Sequence, residues 1–146
     1  MSDKYTLREG AVKTYFQGLD DDDKYYISTK MSEANGMVGR ENVLLIKMGN
    51  GDPLGVMNNN EQAGYELQYQ IVGVPVATDD DEADTMRNEI LEFAEKGIRA
   101  TRAYPVFSAL ADGHALGWRM GGFRKGVNSD NIPVIEIDLF VSFEED

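Results

Sequence analysis

Cysteine is absent from this sequence, and histidine occurs once, at His114. Without thiols there are no disulfides, no thiol nucleophile and no thiolate metal site. A lone imidazole gives no basis for a transition-metal cluster built on histidines. Long hydrophobic runs are missing too: nothing approaches the about 20 apolar residues needed to cross a bilayer, and the opening MSDKYTLREG has no apolar signal core. The expectation is a soluble chain with no membrane contact, made and kept in the cytosol or in something assembled there. Basic residues are scarce, 14 against 26 acidic ones, for a net charge of -12. Such a surface repels free DNA and anionic membranes, and it either secures solubility or keeps a surface from sticking to nucleic acid.

What is present has the balance of a folded protein. With 42% hydrophobic and 27% charged residues, the 146-residue chain can bury one core without staples. It reads as a single α+β domain over 1-146, with long loops at about 31-42 and 49-64.

The pattern opens with a helix. Thr6-Leu7-Arg8-Glu9 has the form of a capping box, and Leu7, Ala11, Val12, Tyr15, Phe16 and Leu19 recur on one side of a helical wheel until Gly18. The run GLDDDDKYY follows. As a calcium loop from Asp20 it fails, because Lys24 stands at the fifth position, Tyr25 where glycine is needed and Met31 where glutamate is needed. Its likeness to a protease tag site lies in the wrong place for a tag. Asp20, Asp21, Asp22 and Asp23 therefore read as a solvated acidic loop, with a gating or docking patch as the lesser alternative.

Two strands are expected next, KYYISTKM and ENVLLIKMG, joined by the loop-forming SEANGMVGR, with Asn50-Gly51 as a tight turn. Tyr65, Leu67, Tyr69 and Ile71 then alternate with polar residues. The apolar phase switches to Val72, Val74 and Val76, which predicts a bulge or twist near 71-73. A second helix starts at the capping residues Thr78 to Asp81 and carries Ala83, Met86, Ile90, Phe93 and Ala94 to a stop at Gly97. IRATRAYPVFSALADGHALGW reads as an irregular connection. GWRMGGFRKG is a strand whose glycines mark bulges. Ile135, Ile137, Leu139, Val141 and Phe143 form one face of a closing strand, with Glu136, Asp138, Phe140 and Ser142 on the other. The sum is an α+β fold of order α-β-β-β-α-β-β: a mostly antiparallel sheet of about five strands with both helices packed on one face.

Catalytic patterns are poor. His114 sits in a plain turn, no serine stands in a G-x-S-x-G elbow, and GNGDPLG lacks the lysine and hydroxyl of a phosphate loop. With so many acids, carboxylate pairs carry no information. The expectation is a non-enzyme with no catalytic residue, no cofactor and no metal. One stretch departs from the acidic background: Arg119, Arg124 and Lys125, with Trp118 among them and Phe140 on the polar side of the last strand. They are candidates for a subunit or partner interface. The plainer reading pairs the three cations with acidic partners, either within the chain or across a subunit interface, with the interface preferred, and a nucleic-acid contact ranks lower.

The order of these elements resembles the tail terminator proteins of long-tailed bacteriophages. The stretches that carry the resemblance are ENVLLIKMG, YELQYQIVGVPV leading through TDDDEADTMRNEILEFAEK, AYPVFSAL, ALGWRMGGFRKG and IPVIEIDLFVSFEED. The resemblance runs from Thr6 onward, through topology and pattern and not through an invariant motif. It implies a structural virion protein assembled in the host cytoplasm and carried in the tail or neck. Its partners would be copies of itself in a ring, commonly a hexamer, the tail tube protein, and a head connector or neck protein. Genomic DNA would pass an acidic lumen without specific binding, with Asp20 to Asp23 as a candidate lumen patch. The loop from Met31 to Asn42 and the aspartate run have no counterpart in that pattern. Two alternatives stand beside this reading: a head-tail joining or tail completion protein of the same fold, and a small ligand-binding or enzymatic α+β domain with Tyr65, Tyr69, Trp118 and His114 as pocket walls.

Overall fold

The computed structural model describes residues 4–53, 64–99 and 115–144. They form α1 (Lys4–Leu19), β1 (Tyr25–Ser28), α2 (Met31–Met37), β2 (Asn42–Pro53), β3 (Gly64–Val74), α3 (Asp80–Arg99), β4 (Ala115–Val127) and β5 (Pro133–Glu144). The strands make one sheet in the order β1-β2-β3-β5-β4. It is antiparallel except for β1, which runs parallel to β2. The α+β class and the mainly antiparallel five-stranded sheet agree with the sequence pattern; the helix count does not.

A third helix lies where a loop was expected. A parallel pair cannot be joined by a hairpin and needs a crossover, so the 31-42 stretch carries α2 from the end of β1 to the start of β2. This helix packs on the face opposite α1 and α3. Ala34 joins Val43, Leu45, Val74 and Val134 in a small apolar cluster, with Val72 against it. The change of apolar phase at Val72 and Val74 follows from this. The ladder between β3 and β5 is regular from Gly64 to Gly73, so no bulge exists near 71-73; the strand has simply become covered on both faces. The irregularity in this half lies instead between Met48 and Gly51 of β2, which runs through Asn50-Gly51 to Pro53 without turning.

The main core lies under α1 and α3. Ile135, Ile137, Leu139, Val141 and Phe143 are fully buried, as their alternation predicts. They face Val12 and Phe16 of α1 and Ile90 and Ala94 of α3. The start of α3 follows its sequence signal: the Glu82 amide donates to the Asp79 carboxylate at 2.7 Å, and the Glu82 carboxylate accepts from the Thr78 hydroxyl at 2.6 Å. Its end does not. The helix passes Gly97 to Arg99, and the glycine serves close packing, since a Cβ there would lie 2.5 Å from Leu19 Cδ1 and 3.1 Å from Phe16 Cε1.

In α1 the buried line is Arg8, Ala11, Val12, Tyr15 and Phe16, whereas Leu7 is 55% exposed. The guanidinium of Arg8 lies 4.3 Å from the centre of the Phe143 ring, so its stem and planar head close the core end that Leu7 was expected to cover. Thr6 lies within the helix and is not its cap. Glu9 turns to the sheet.

Candidate functional site

The cationic stretch is the outermost strand on one side of the sheet. Bulges between Ala115 and Gly117 and between Met120 and Phe123, where its glycines cluster, set the facing of its side chains. Arg119 and Arg124 come out on the sheet face that carries Phe140 and Asp138, as their pairings with Phe140 and Glu136 require. Trp118 and Lys125 point to the other face, where α1 and α3 lie. The structure thus divides the five candidate interface residues between two faces.

On the open face the side chains tile the sheet. The Arg119 guanidinium stacks 4.1 Å from the Phe140 ring centre and bonds Glu66 at 3.0 Å. Arg124 grips Asp138 with two bonds of 3.0 and 3.1 Å and reaches Glu136 at 3.3 Å. Gln70 donates to the same Glu136 carboxylate at 3.1 Å. Asp138 is nearly buried. The hydrogen bond from Arg124 outweighs desolvation and holds its carboxyl below the usual aspartate range, and the same pair raises the arginine. Gly121 makes room for this layer, because a Cβ there would fall 2.5 Å from Phe140 Cε2 and 2.9 Å from Asp138 Cβ.

On the helical face, Trp118 meets Tyr15 edge-on with ring centres 5.0 Å apart. Lys125 bonds Asp84 of α3 at 3.1 Å. All three cations therefore have acidic partners within the chain, the first of the two pairings the sequence left open. The head groups still face outward: Arg119 and Arg124 keep 59% and 52% of their side-chain exposure.

The two sides of the sheet differ. On the β1 side, backbone groups left over by the ladder are taken up by side chains. The Met48 amide donates to Glu9 at 2.8 Å, the Tyr25 amide to Asp20 at 2.8 Å, and Gln17 donates to the Ile27 carbonyl at 3.4 Å. Lys47 closes over the same margin with a 2.9 Å bond to the Thr29 carbonyl. On the β4 side, among the described residues, no side chain or loop bonds the backbone between Arg119 and Lys125; Arg87 reaches only the Gly126 carbonyl, at 3.0 Å. Phe123 and Val127 are exposed there.

The aspartate run is not uniformly a solvated loop. Both carboxylate oxygens of Asp20 accept backbone amides, from Lys24 at 3.0 Å and Tyr25 at 2.8 Å, which folds the turn into β1. The other three aspartates are exposed, and Asp23 takes a left-handed backbone with φ 50. Lys24 crosses to Glu89 of α3 at 2.6 Å, and that bond raises its pKa. The role of Asp20 was open to discovery from sequence, since an aspartate ahead of a strand is a common turn-former; the bonds of Glu9 and Gln17 had no local signal.

Among the described residues, the expected pocket walls Tyr65, Tyr69 and Trp118 line no common cleft. Tyr69 is wholly buried in the core, Tyr65 packs against that core, and Trp118 lies on Tyr15. His114, the fourth expected wall, and most of the expected irregular connection that contains it lie outside the described residues. An open cleft of about 350 Å³ borders the start of α3, lined by Val38, Val76, Thr78, Asp80 and Ile132 among others, and none of the expected pocket walls contributes to it. Among the described residues no three acidic or imidazole side chains gather as a metal-binding group, and no helix is long and apolar enough to cross a membrane. No protein-family model matches the sequence, and no curated protein matches it significantly.

Proposed function

We propose that this chain is a structural virion protein, a tail terminator that assembles into a ring, caps the tail tube and joins it to the head connector. The observation that carries this reading is the asymmetry of the sheet. Folded proteins blunt or cover their sheet edges, and here one margin is sealed by Glu9, Gln17 and Asp20 while, among the described residues, nothing bonds the long edge of β4 between Arg119 and Lys125. An edge of that length fits a protein that another component of the assembly completes. The net charge of -12 fits the same role, since a channel for DNA should repel phosphates instead of holding them. In this reading the three exposed aspartates before β1 belong to a lumen or partner face, and the chain acts by assembly without catalysing a reaction. A head-tail joining protein of the same fold would meet the connector from the opposite side.

The experiment is light scattering across protein concentration, paired with negative-stain images. Closed rings, or conversion from monomer to ring on added tail tubes, are expected. A chain that stays monomeric at every concentration and ignores the tubes would contradict the reading.

A further inference from the structure

The open margin also has a chemistry that narrows what completes it. β4 carries Arg119, Arg124 and Lys125 and no acidic residue, in a chain whose acids outnumber its bases 26 to 14. The acids that pair Arg119 and Arg124, Glu66 and Asp138, lie inward on β3 and β5, whereas Asp84, which pairs Lys125, stands on α3 over the other face. On the open face a strand laid against the outer side of β4 would therefore meet Arg119 and Arg124 first, with their acids one strand spacing or more behind, about 4.8 Å. Like charges directly opposite one another destabilise a strand pair, and opposite charges stabilise it.

We propose that the edge of β4 between Arg119 and Lys125 receives an extended acidic segment of a partner protein by strand addition. Backbone hydrogen bonds supply the affinity, and alternate side chains supply the selection. On one face the incoming strand places carboxylates beside Arg119 and Arg124. On the other it covers Phe123, which is 49% exposed although it pairs with the wholly buried Ile137. The Met120 to Phe123 bulge re-aims the strand between these two contacts, so the site reads two short segments and not one flat ribbon. The inference deepens the assembly reading above, naming the margin through which a tube or connector protein is held, and it rests on that reading for the identity of the partner.

The test uses the full chain, isotope-labelled, titrated with a synthetic peptide that alternates glutamate and valine. Three controls accompany it: the lysine-valine peptide, the acidic peptide N-methylated at alternate amides, and the chain alone. Expected are slowed amide exchange and shifted resonances confined to 119–125, an affinity about tenfold or more above that of the lysine peptide, and loss of binding on N-methylation. No change at 119–125, or equal binding of both peptides, would overturn the proposal. So would a chain whose 119–125 amides are already protected while its mass grows with concentration, because the edge would then belong to a second copy. The two readings separate cleanly: rings that leave the acidic peptide unbound sink the strand-addition site alone, and a monomer that binds the peptide sinks the ring alone.

Discussion

The Tyr15 hydroxyl donates a 2.7 Å hydrogen bond to the carbonyl of Gly97, tying the middle of α1 to the last turns of α3. The phenol is buried, and burial raises its pKa to about 12. A tyrosine whose folded pKa lies above its unfolded value of about 10 adds stability that is complete below pH 10 and is lost as the pH climbs toward 12. Urea midpoints measured from pH 9 to 12 should fall along that limb. Tyr15→Phe should lower the midpoint at neutral pH by the worth of one bond, about 1 kcal/mol, and should flatten the alkaline fall. An alkaline slope identical to that of the unaltered protein would remove Tyr15 as its source.

The acid limb has a different owner. Because Arg124 holds the Asp138 carboxyl below the ordinary range, the pair contributes stability that is present above the unfolded aspartate pKa and disappears as pH drops through the lowered value. Asp138→Asn should reduce stability at pH 7 and make the curve between pH 5 and about 2 shallower. Equal slopes in thermal melts across that range would place the acid sensitivity elsewhere.

At Gly121 the obstacle to a side chain is Asp138 Cβ, fixed to the backbone, as well as the Phe140 ring. Gly121→Val should cost roughly 1–3 kcal/mol, with Phe140→Ala restoring only part of it. Full recovery in that double variant would mean the backbone neighbour matters less than the ring.

The aspartate run should separate into two roles. Asp20→Ala removes the acceptor for two amides and should cost about 1 kcal/mol, whereas replacing Asp21, Asp22 and Asp23 together by serine should stay within about 0.5 kcal/mol. Chemical denaturation of the two variants side by side makes the comparison, and equal losses would put Asp20 back among the solvated residues.

Leu139 is wholly buried at the centre of β5. A carboxylate there has no partner and no water, so Leu139→Asp should abolish the cooperative transition in far-ultraviolet circular dichroism. A normal melt would contradict the strand order.

Helix α3 and strand β5 were legible because their signals are local: a capping pair three residues apart, and strict alternation. Helix α2 was not. Its seven residues hold Asn35 and Gly36, and no side chain caps its start. What makes it a helix is the parallel pairing of β1 with β2, a relation between residues that no window on the sequence contains. The same holds for the phase change in β3, which a single strand reads as a bulge and the fold resolves as a second covered face. For the surface, the sequence exposed the cationic strand and Phe140. Which acid each cation meets depends on register across β5, and which margin stays open depends on Glu9 and Gln17 reaching over from α1.

Strand β5 sits between β3 and β4, although both α3 and β4 come before it in the chain. On the ribosome, β3 and β4 therefore emerge with nothing between them, each showing backbone that β5 will later occupy. The sheet cannot close until β5 has cleared the exit, and the most buried strand is inserted after its neighbours have been made. Until β5 is made, such a chain carries unpaired edges on both β3 and β4, the kind of exposed backbone that invites mispairing.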